Sequence, residues 1–454
     1  MRLGVAYKYK LAKIIKVEKR IELIAKEFLE KTKDKEIQII SHFDTDGITS
    51  AAIMIKTLRK LDKTFSVKIV KSLNEQTIQS LSKEKITLFL DLASNSLDQI
   101  KESGLKNVFI IDYHEVTQEI PENVQIINPE LYNKEKISGS GMTYLFCKEI
   151  NSNYKDLAKL AVLGMIGDCL EKNIEKINNQ ILTDGEIVKK RGLLLYPSTR
   201  PLNRVLEYSS NPYLPGITGD TKGVLNFLRE TGLTPKNGTY PSIIELNKKE
   251  MSKIVTSIML LKEQKGEEGI VGDIFLIKLF NKLEDARELS AKINACSRFG
   301  ESQTAIQLCL EIPKAKKRAE AIHVKYRQLL VSGLKFASEA EKIQGKGYVI
   351  INARDQIKDT VIGTVASILS NSLKYEKGTT IIAMAYDQNK IKVSSRNVGR
   401  NGKNVRVVLN NVVSKIGGEV GGHEFAAGCV IEKHQEKEFI DNLKKNFEIE
   451  VVKV

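Results

Sequence analysis

Three short apolar runs in the first quarter of this chain stop at side chains that can bind metal. The run Ile37–Ile40 leads through Ser41 into His42, Asp44 and Asp46; ITLFL ends in Asp91; NVFII ends in Asp112, with Tyr113 and His114 behind it. Runs of four or five branched and aromatic residues have the length of buried strands, and after the first of them apolar positions recur at helical spacing from Ile48 to Leu61. Strands alternating with helices predict a mostly parallel, doubly wound α/β sheet, because parallel neighbours need a crossover and a helix supplies it. The carboxyl ends of such strands share one edge of the sheet, so acids placed there converge.

The same alternation continues through FSVKIV and VQIIN, then into helices from Gly141 and Asp156, where LAVLGMIG delivers Asp168 and Cys169. The spacing predicts a basic N-terminal helix in residues 1–35 and an α/β domain over 36–312. A helical elaboration of that domain covers about 174–312, interrupted by the Gly/Pro-rich stretch Asn211–Asp220. Lys314 to Ile343 has the composition of one connecting helix within 313–345. From Gly347 the β/α pattern returns (YVIINA, a helix from Ile362 to Leu373, TTIIAMAYD, IKVSSR, a helix near Val405 to Ile416, CVIEK), which predicts a smaller α/β domain over 346–454.

Composition narrows the function. A formal net charge of +15 favours polyanionic partners such as nucleic acid, although a lysine-rich solvated surface produces the same sum. Six basic residues (Lys314, Lys316, Lys317, Arg318, Lys325, Arg327) crowd the connecting segment and form a candidate track for a phosphate backbone. Five cysteines without a C-x-x-C pair argue against disulfides and structural zinc and for a reducing, cytoplasmic setting. No run reaches the roughly 18 apolar residues of a membrane span.

The segment His42-Phe43-Asp44-Thr45-Asp46-Gly47 places three nitrogen or oxygen ligands on one strand-to-helix turn, a cradle for a hard divalent cation. Any single acid after a strand can be a turn former or a helix cap. Asp91, Asp112 and Asp168 each follow an apolar run as well, and together with that loop they favour a metal site. Near the other end, glycines in Gly417–Gly428 (GGEVGGHEFAAG) leave backbone N–H groups bare for a phosphate, with His423 and Arg396 as side-chain donors.

In this order, His42/Asp44/Asp46, Asp91, Asp112-Tyr113-His114 and Asp168 resemble the four N-terminal motifs of the DHH phosphoesterase superfamily, and GGHEFAAG resembles the signature of its associated C-terminal domain. Ser394-Ser395-Arg396 is similar to that domain's substrate-contacting serine and arginine. The segments NPYLPGITGD (Asn211 to Asp220) and INACSRFG (Ile293 to Gly300) look like the archaeal RecJ-like nucleases, including the GINS-associated nuclease.

The resemblance implies a Mn2+- or Mg2+-dependent exonuclease on single-stranded DNA or RNA, with the GINS complex and replicative helicase as partners and a cleft between two domains. Two ions with Asp91 as the candidate bridge fit that resemblance: His42 and Asp44 hold the first, Asp46, Asp168 and His114 the second, while Asp112 orients His114 or caps the turn. Asp44, Asp46, Asp91, His114 and Asp168 then carry catalysis, and Ser394, Arg396, Gly421, Gly422 and His423 bind substrate. One departure stands out, since the family's motif is usually Asp-His-His and here the middle position is Tyr113, whose phenol is a poor metal ligand. A phosphodiesterase of short oligonucleotides or nucleotides, and a weak or inactive helicase scaffold, are the alternative readings.

Overall fold

A computed structural model of the chain describes residues 17–132, 135–209, 214–261, 270–371, 375–399, 401–418 and 420–448. It divides into two compact units, one made of the described residues up to Arg191 together with Asp273–His323, the other of Gly192–Gly272 together with Val324 onward. The middle of the chain is therefore shared between the units rather than being an elaboration of the first alone.

In the first unit, β1 (Ile37–His42), β2 (Phe65–Val70), β3 (Ile86–Leu90), β4 (Val108–Ile111) and β5 (Val124–Ile127) form one sheet in the order β2-β1-β3-β4-β5. Every pairing in it is parallel. β3 and β4 are buried along their whole length, as strands covered on both faces must be. Complete burial of each Ile or Leu contributes about 1.5–3 kcal/mol.

Helix α1 (Val17–Lys31) belongs to this core. Val17, Ile21, Ile24, Ala25 and Phe28 recur on one helical face and are buried, and the Phe28 ring meets Phe109 and Phe146 edge-on at 5.2 and 5.4 Å between centroids. The expected basic N-terminal helix is thus a packing element over its described part; residues 1–16 lie outside the described residues. Helices α2 (Thr45–Lys60), α3 (Gly139–Ile150) and α4 (Ala158–Gly167) complete the frame of the acids. α4 is apolar apart from Lys159, and it is buried at all but two of its ten positions.

The middle region is not uniformly helical. β6 (Val188–Leu193), β7 (Val271–Leu279) and β8 (Lys282–Asp285) form a small sheet, with β7 and β8 joined as an antiparallel hairpin through Phe280 and Asn281, both at positive φ. A strand as long as β7 was hidden because its run IFLIKL has no strict alternation. The first unit resumes at Asp273 within β7 and includes α5 (Ala286–Arg298), and Pro313–Glu339 is one long helix, α6.

The C-terminal part of the second unit holds a six-stranded mixed sheet in the order β13-β14-β12-β11-β10-β9. Its strands are β9 (Ile343–Gly345), β10 (Tyr348–Asn352), β11 (Thr380–Asp387), β12 (Lys390–Asn397), β13 (Val420–Gly422) and β14 (Ala426–Glu432). Helices α7 (Asp359–Ser370), α8 (Val405–Ile416) and α9 (Glu436–Glu448) accompany it. The α7 helix starts three residues earlier than its apolar periodicity suggested and ends at Ser370. Among the described residues no helix is long and apolar enough to cross a membrane.

Candidate metal centre

The loop after β1 is built around Asp44 and Gly47. Asp44 caps α2, its Oδ1 accepting from Gly47 N at 3.0 Å, which leaves Oδ2 3.0 Å from His42 Nδ1. Gly47 is required because a Cβ there would strike the carbonyl oxygen of His42. Asp91 follows β3 with φ of 59°, a left-handed conformation that costs about 1 kcal/mol or more in a residue other than glycine. Its N–H still bonds Ile111 O across the sheet at 2.9 Å. That strained turn puts Asp91 Oδ2 3.6 Å from His42 Nδ1.

Ligand atoms of His42, Asp44 and Asp91 lie within 4.8 Å of one another, as do those of Asp91, Asp112 and His114. Asp112 spends both oxygens on its surroundings. Oδ1 accepts from Tyr113 N at 2.8 Å and meets His114 Nδ1 at 2.7 Å, while Oδ2 accepts from Ser94 N at 3.0 Å. Asn128 Nδ2 closes the network by donating to Ser94 Oγ and His114 O.

Asp46 is held from the opposite side. The first backbone N–H groups of α3 donate to it, Gly139 N to Oδ2 at 2.5 Å and Ser140 N to Oδ1 at 3.0 Å, an anion at a helix N-terminus. A Cβ on Gly139 would come within 3.0 Å of both Asp46 Oδ2 and Asp91 Oδ1, and one on Gly164 of α4 would collide with Asp46 Oδ1. Asp168 ends α4 as its C-cap residue. Tyr113 stacks on His114 with 4.4 Å between ring centroids.

The electrostatics are those of buried carboxylates crowded together. Burial and repulsion from neighbouring carboxylates push Asp91 and Asp168 well above the usual carboxylate range, and burial raises Asp46. Burial also acts to raise Asp44 and Asp112, but the imidazoles of His42 and His114 outweigh it and hold both below their ordinary value. Burial and then Asp168 raise Tyr113, which stays a neutral phenol. Among the described residues, His42 Nδ1, Asp91 Oδ2 and Asp168 Oδ2 are buried without a hydrogen-bond partner. Orphaned hard donors in an acidic, mixed imidazole–carboxylate set fit Mn2+ or Mg2+.

In the second unit the glycine-rich segment and the S-x-R strand come together. β12 pairs with β14, Ser394 opposite Gly428 and Arg396 opposite Ala426, and Gly421 of β13 sits opposite the same Gly428. Arg396 Nε donates to Ser367 Oγ of α7 at 2.9 Å, and its Nη1 donates to the carbonyls of Ser395 and Ala427. Ser394 is buried and His423 is exposed. Gly422 has φ of 116°, and a Cβ there would strike Ala426 O, whereas Gly421 faces open space.

The basic track on α6 is reduced by its own neighbours. Lys316 bonds Glu284, Arg318 pairs with Glu301, and Arg327 donates to Tyr208 O. Lys314 and Lys317 remain exposed on α6. Ser94, Asn128 and Ser138-Gly139-Ser140, which hold the acids, went unread in the sequence. The pattern Ser138-Gly139-Ser140-Gly141 before an apolar helix was the available signal, a cap followed by bare amides.

Comparison with known proteins agrees with this geometry. The N-terminal domain model of the DHH family matches residues 36–167, the DHH-CID domain 195–269 and the DHHA1 domain 345–448. The chain is 28% identical over 442 residues to an uncharacterized protein of Methanocaldococcus jannaschii, covering 93% of this chain and 96% of that one. It is 28% identical over 170 residues to the single-stranded-DNA-specific exonuclease RecJ of Bacillus subtilis, but this spans 34% of the chain and 21% of the exonuclease. Among solved structures, RecJ of Thermus thermophilus in complex with Mn2+ aligns at 18% identity and TM-score 0.58, over 95% of this chain and 54% of that one. CDC45 of Entamoeba histolytica aligns at 12% identity and TM-score 0.71, over 95% and 99%.

Proposed function

Since the chain belongs to the DHH superfamily and is RecJ-like in fold and domain set, we propose that it is a divalent-metal-dependent exonuclease hydrolysing phosphodiester bonds of single-stranded DNA or RNA. The observation that carries this reading is the His42–Asp44–Asp91 ligand set with its buried, unpartnered donor atoms. A Mn2+ or Mg2+ ion held there would supply Lewis acidity and a water of lowered pKa. Asp112 fixes the tautomer of His114 by accepting from Nδ1, so Nε2 is the nitrogen that meets metal or phosphate. Asp46, pinned on the amides of α3, and Asp168 complete the acidic wall.

Ser394, Arg396, Gly421, Gly422 and His423 form the phosphate-binding part of the second unit. The guanidinium of Arg396 is fixed in place by Ser367 and two carbonyls, so little rotamer freedom remains to be lost on binding. The net charge of +15 suits a polyanion. A second reading, an accessory subunit of the replicative helicase that associates with GINS, draws on the full-length likeness in fold to CDC45 and on Tyr113. The retained acids favour the enzyme, because clustered buried carboxylates are costly to a protein that does not use them.

The test is end-labelled single-stranded DNA, RNA and a dinucleotide, each incubated with Mn2+, Mg2+ or EDTA. Metal-dependent release of mononucleotides from long strands supports the exonuclease. Turnover of the dinucleotide alone moves the reading to a short-oligonucleotide phosphodiesterase, and no turnover with any metal to the scaffold.

A further inference from the structure

The second unit holds a cleft that neither the metal centre nor the phosphate-binding strand uses. It has a volume of about 610 Å³ and lies where β10 stops, lined by Ile350 and Asn352 of that strand, the turn 353–356 after it, Phe336 of α6 and Ile343 of β9. That volume is ordinary for a small-molecule site. The turn is tied to the sheet. Ala353 N donates to Met384 O at 2.9 Å, Tyr386 N to Arg354 O at 2.8 Å and Gln356 N to Ala353 O at 2.8 Å.

Two groups in the cleft are held in place and left unused. Arg354 has φ of 46°, a left-handed conformation that glycine would adopt without strain, and its guanidinium makes no hydrogen bond or ion pair among the described residues. Asn352 has its amide orientation fixed by Glu436 at the start of α9. Its Nδ2 donates to Glu436 Oε1 at 2.8 Å, and the other oxygen of that carboxylate accepts from Tyr386 Oη. A carboxylate only accepts, so the amide must turn its NH2 toward Glu436 and its oxygen away. That oxygen, Asn352 Oδ1, is buried without a partner among the described residues, a costly state that an N–H donor would relieve. Lys342 is engaged elsewhere, its Nζ donating to the carbonyls of Ser338 and Ala340. Arg354 is therefore the cation that can meet an anion in the cleft.

We propose that this cleft binds a nucleoside monophosphate whose base carries an amino group. The amine donates to Asn352 Oδ1, the ring lies on Phe336 against Ile343 and Ile350, and Arg354 takes the phosphate. Glu341 and Asp355, exposed and also lining the cleft, accept from the ribose hydroxyls. One guanidinium suits one phosphate, whereas the extra charge of a triphosphate would meet those two carboxylates. Ser394, Arg396 and the glycines of β13 do not line this cleft, so the proposal is independent of the hydrolase reading above.

Calorimetry with AMP on the full chain in EDTA tests this without any contribution from a bound metal. The expected result is one equivalent of AMP, held roughly tenfold more tightly than purine riboside monophosphate, which lacks only the amine, as one hydrogen bond would give. Arg354→Gly is expected to weaken AMP about tenfold or more and to remain folded by circular dichroism, since glycine takes this φ without strain. Arg396→Ala is expected to bind AMP as the wild type does. No binding of AMP at millimolar concentration, equal affinity for the two nucleotides, or an affinity that Arg354→Gly leaves unchanged overturns the proposal. Loss of binding in Arg396→Ala also overturns it, because the nucleotide would then sit on the phosphate-binding strand.

Discussion

Gly164 of α4 lies so close to Asp46 that a methyl group on its Cα would collide with Asp46 Oδ1 and with Ser140 Oγ. An apolar helix thereby sets the position of a carboxylate by leaving room for it and for nothing else. Gly164→Ala is expected to destabilise the fold by about 1–3 kcal/mol, the usual range for overpacking. It should also lower Mn2+ affinity by shifting Asp46 toward Asp91. Denaturant melts with and without Mn2+ measure both effects; unchanged stability would mean that α4 yields at little cost.

Asp91 is expected to be indispensable and costly at once. Asp91→Asn should abolish metal-dependent hydrolysis, a drop of roughly 10³-fold or more in kcat if the ion supplies several kcal/mol to the transition state. In EDTA the same variant should melt several degrees higher than the wild type, because one buried carboxylate is removed from a like-charged cluster. Thermal melts in EDTA and in Mn2+ should rank the two proteins in opposite order.

Much of this was legible in the sequence, and the reason is periodicity. The apolar runs that stop at His42, Asp91 and Asp112 are parallel strands, and α2 begins at its capping acid, Asp44. What stayed hidden was contact at a distance in the chain. Nothing local marks Asn128 as the side chain that ties Ser94 to His114, and the cap that signals bare amides at Ser140 does not name the acid they meet, 94 residues away. The basic α6 segment misled because charge composition does not reveal that Glu284, Glu301 and Tyr208 engage Lys316, Arg318 and Arg327.

Asp112→Asn should separate orientation from charge. The amide can still accept from Ser94 N, but it loses the ionised partner of His114 Nδ1. Loss of such a supporting contact usually costs about 10–100-fold in activity or metal affinity. Expected is a fall in kcat with little change in KM. A rise in KM alone would mean that His114 only binds substrate.

Asp184 gives a pH dependence that lies clear of the acid cluster. Its carboxylate accepts from Lys148 Nζ at 2.5 Å, Tyr144 Oη at 2.9 Å and Gln180 Nε2 at 3.0 Å. Burial acts to raise its pKa, but these donors, Lys148 first, hold it below the ordinary carboxylate value. A pKa lowered by folding supplies stability above the unfolded value of about 4, and that stability is lost as the pH falls through the folded value. Asp184→Asn should therefore cost about 1.5 kcal/mol at pH 7, with wild type and variant converging in acid melts below pH about 4.

Under the proposed function Arg396→Ala should raise KM for every substrate, since a phosphate contact from that guanidinium would not depend on strand length. Neutralising Lys314 and Lys317 should weaken long strands more than dinucleotides, each lost contact removing about 0.7 from the log–log salt slope. Equal effects on both lengths would make α6 a solvated face.

β1 lies inside its sheet, paired on one side with β2 and on the other with β3, and it runs directly into His42. Interior strands of this kind are the last to open in native-state hydrogen exchange, since their amides are released only by near-global unfolding. The candidate donors His42, Asp44 and Asp91 therefore lie at or directly after the ends of interior strands that are expected to exchange slowly. A chelated protein should keep their spacing, so that metal re-enters a preformed site and reactivation after EDTA treatment proceeds without a refolding lag.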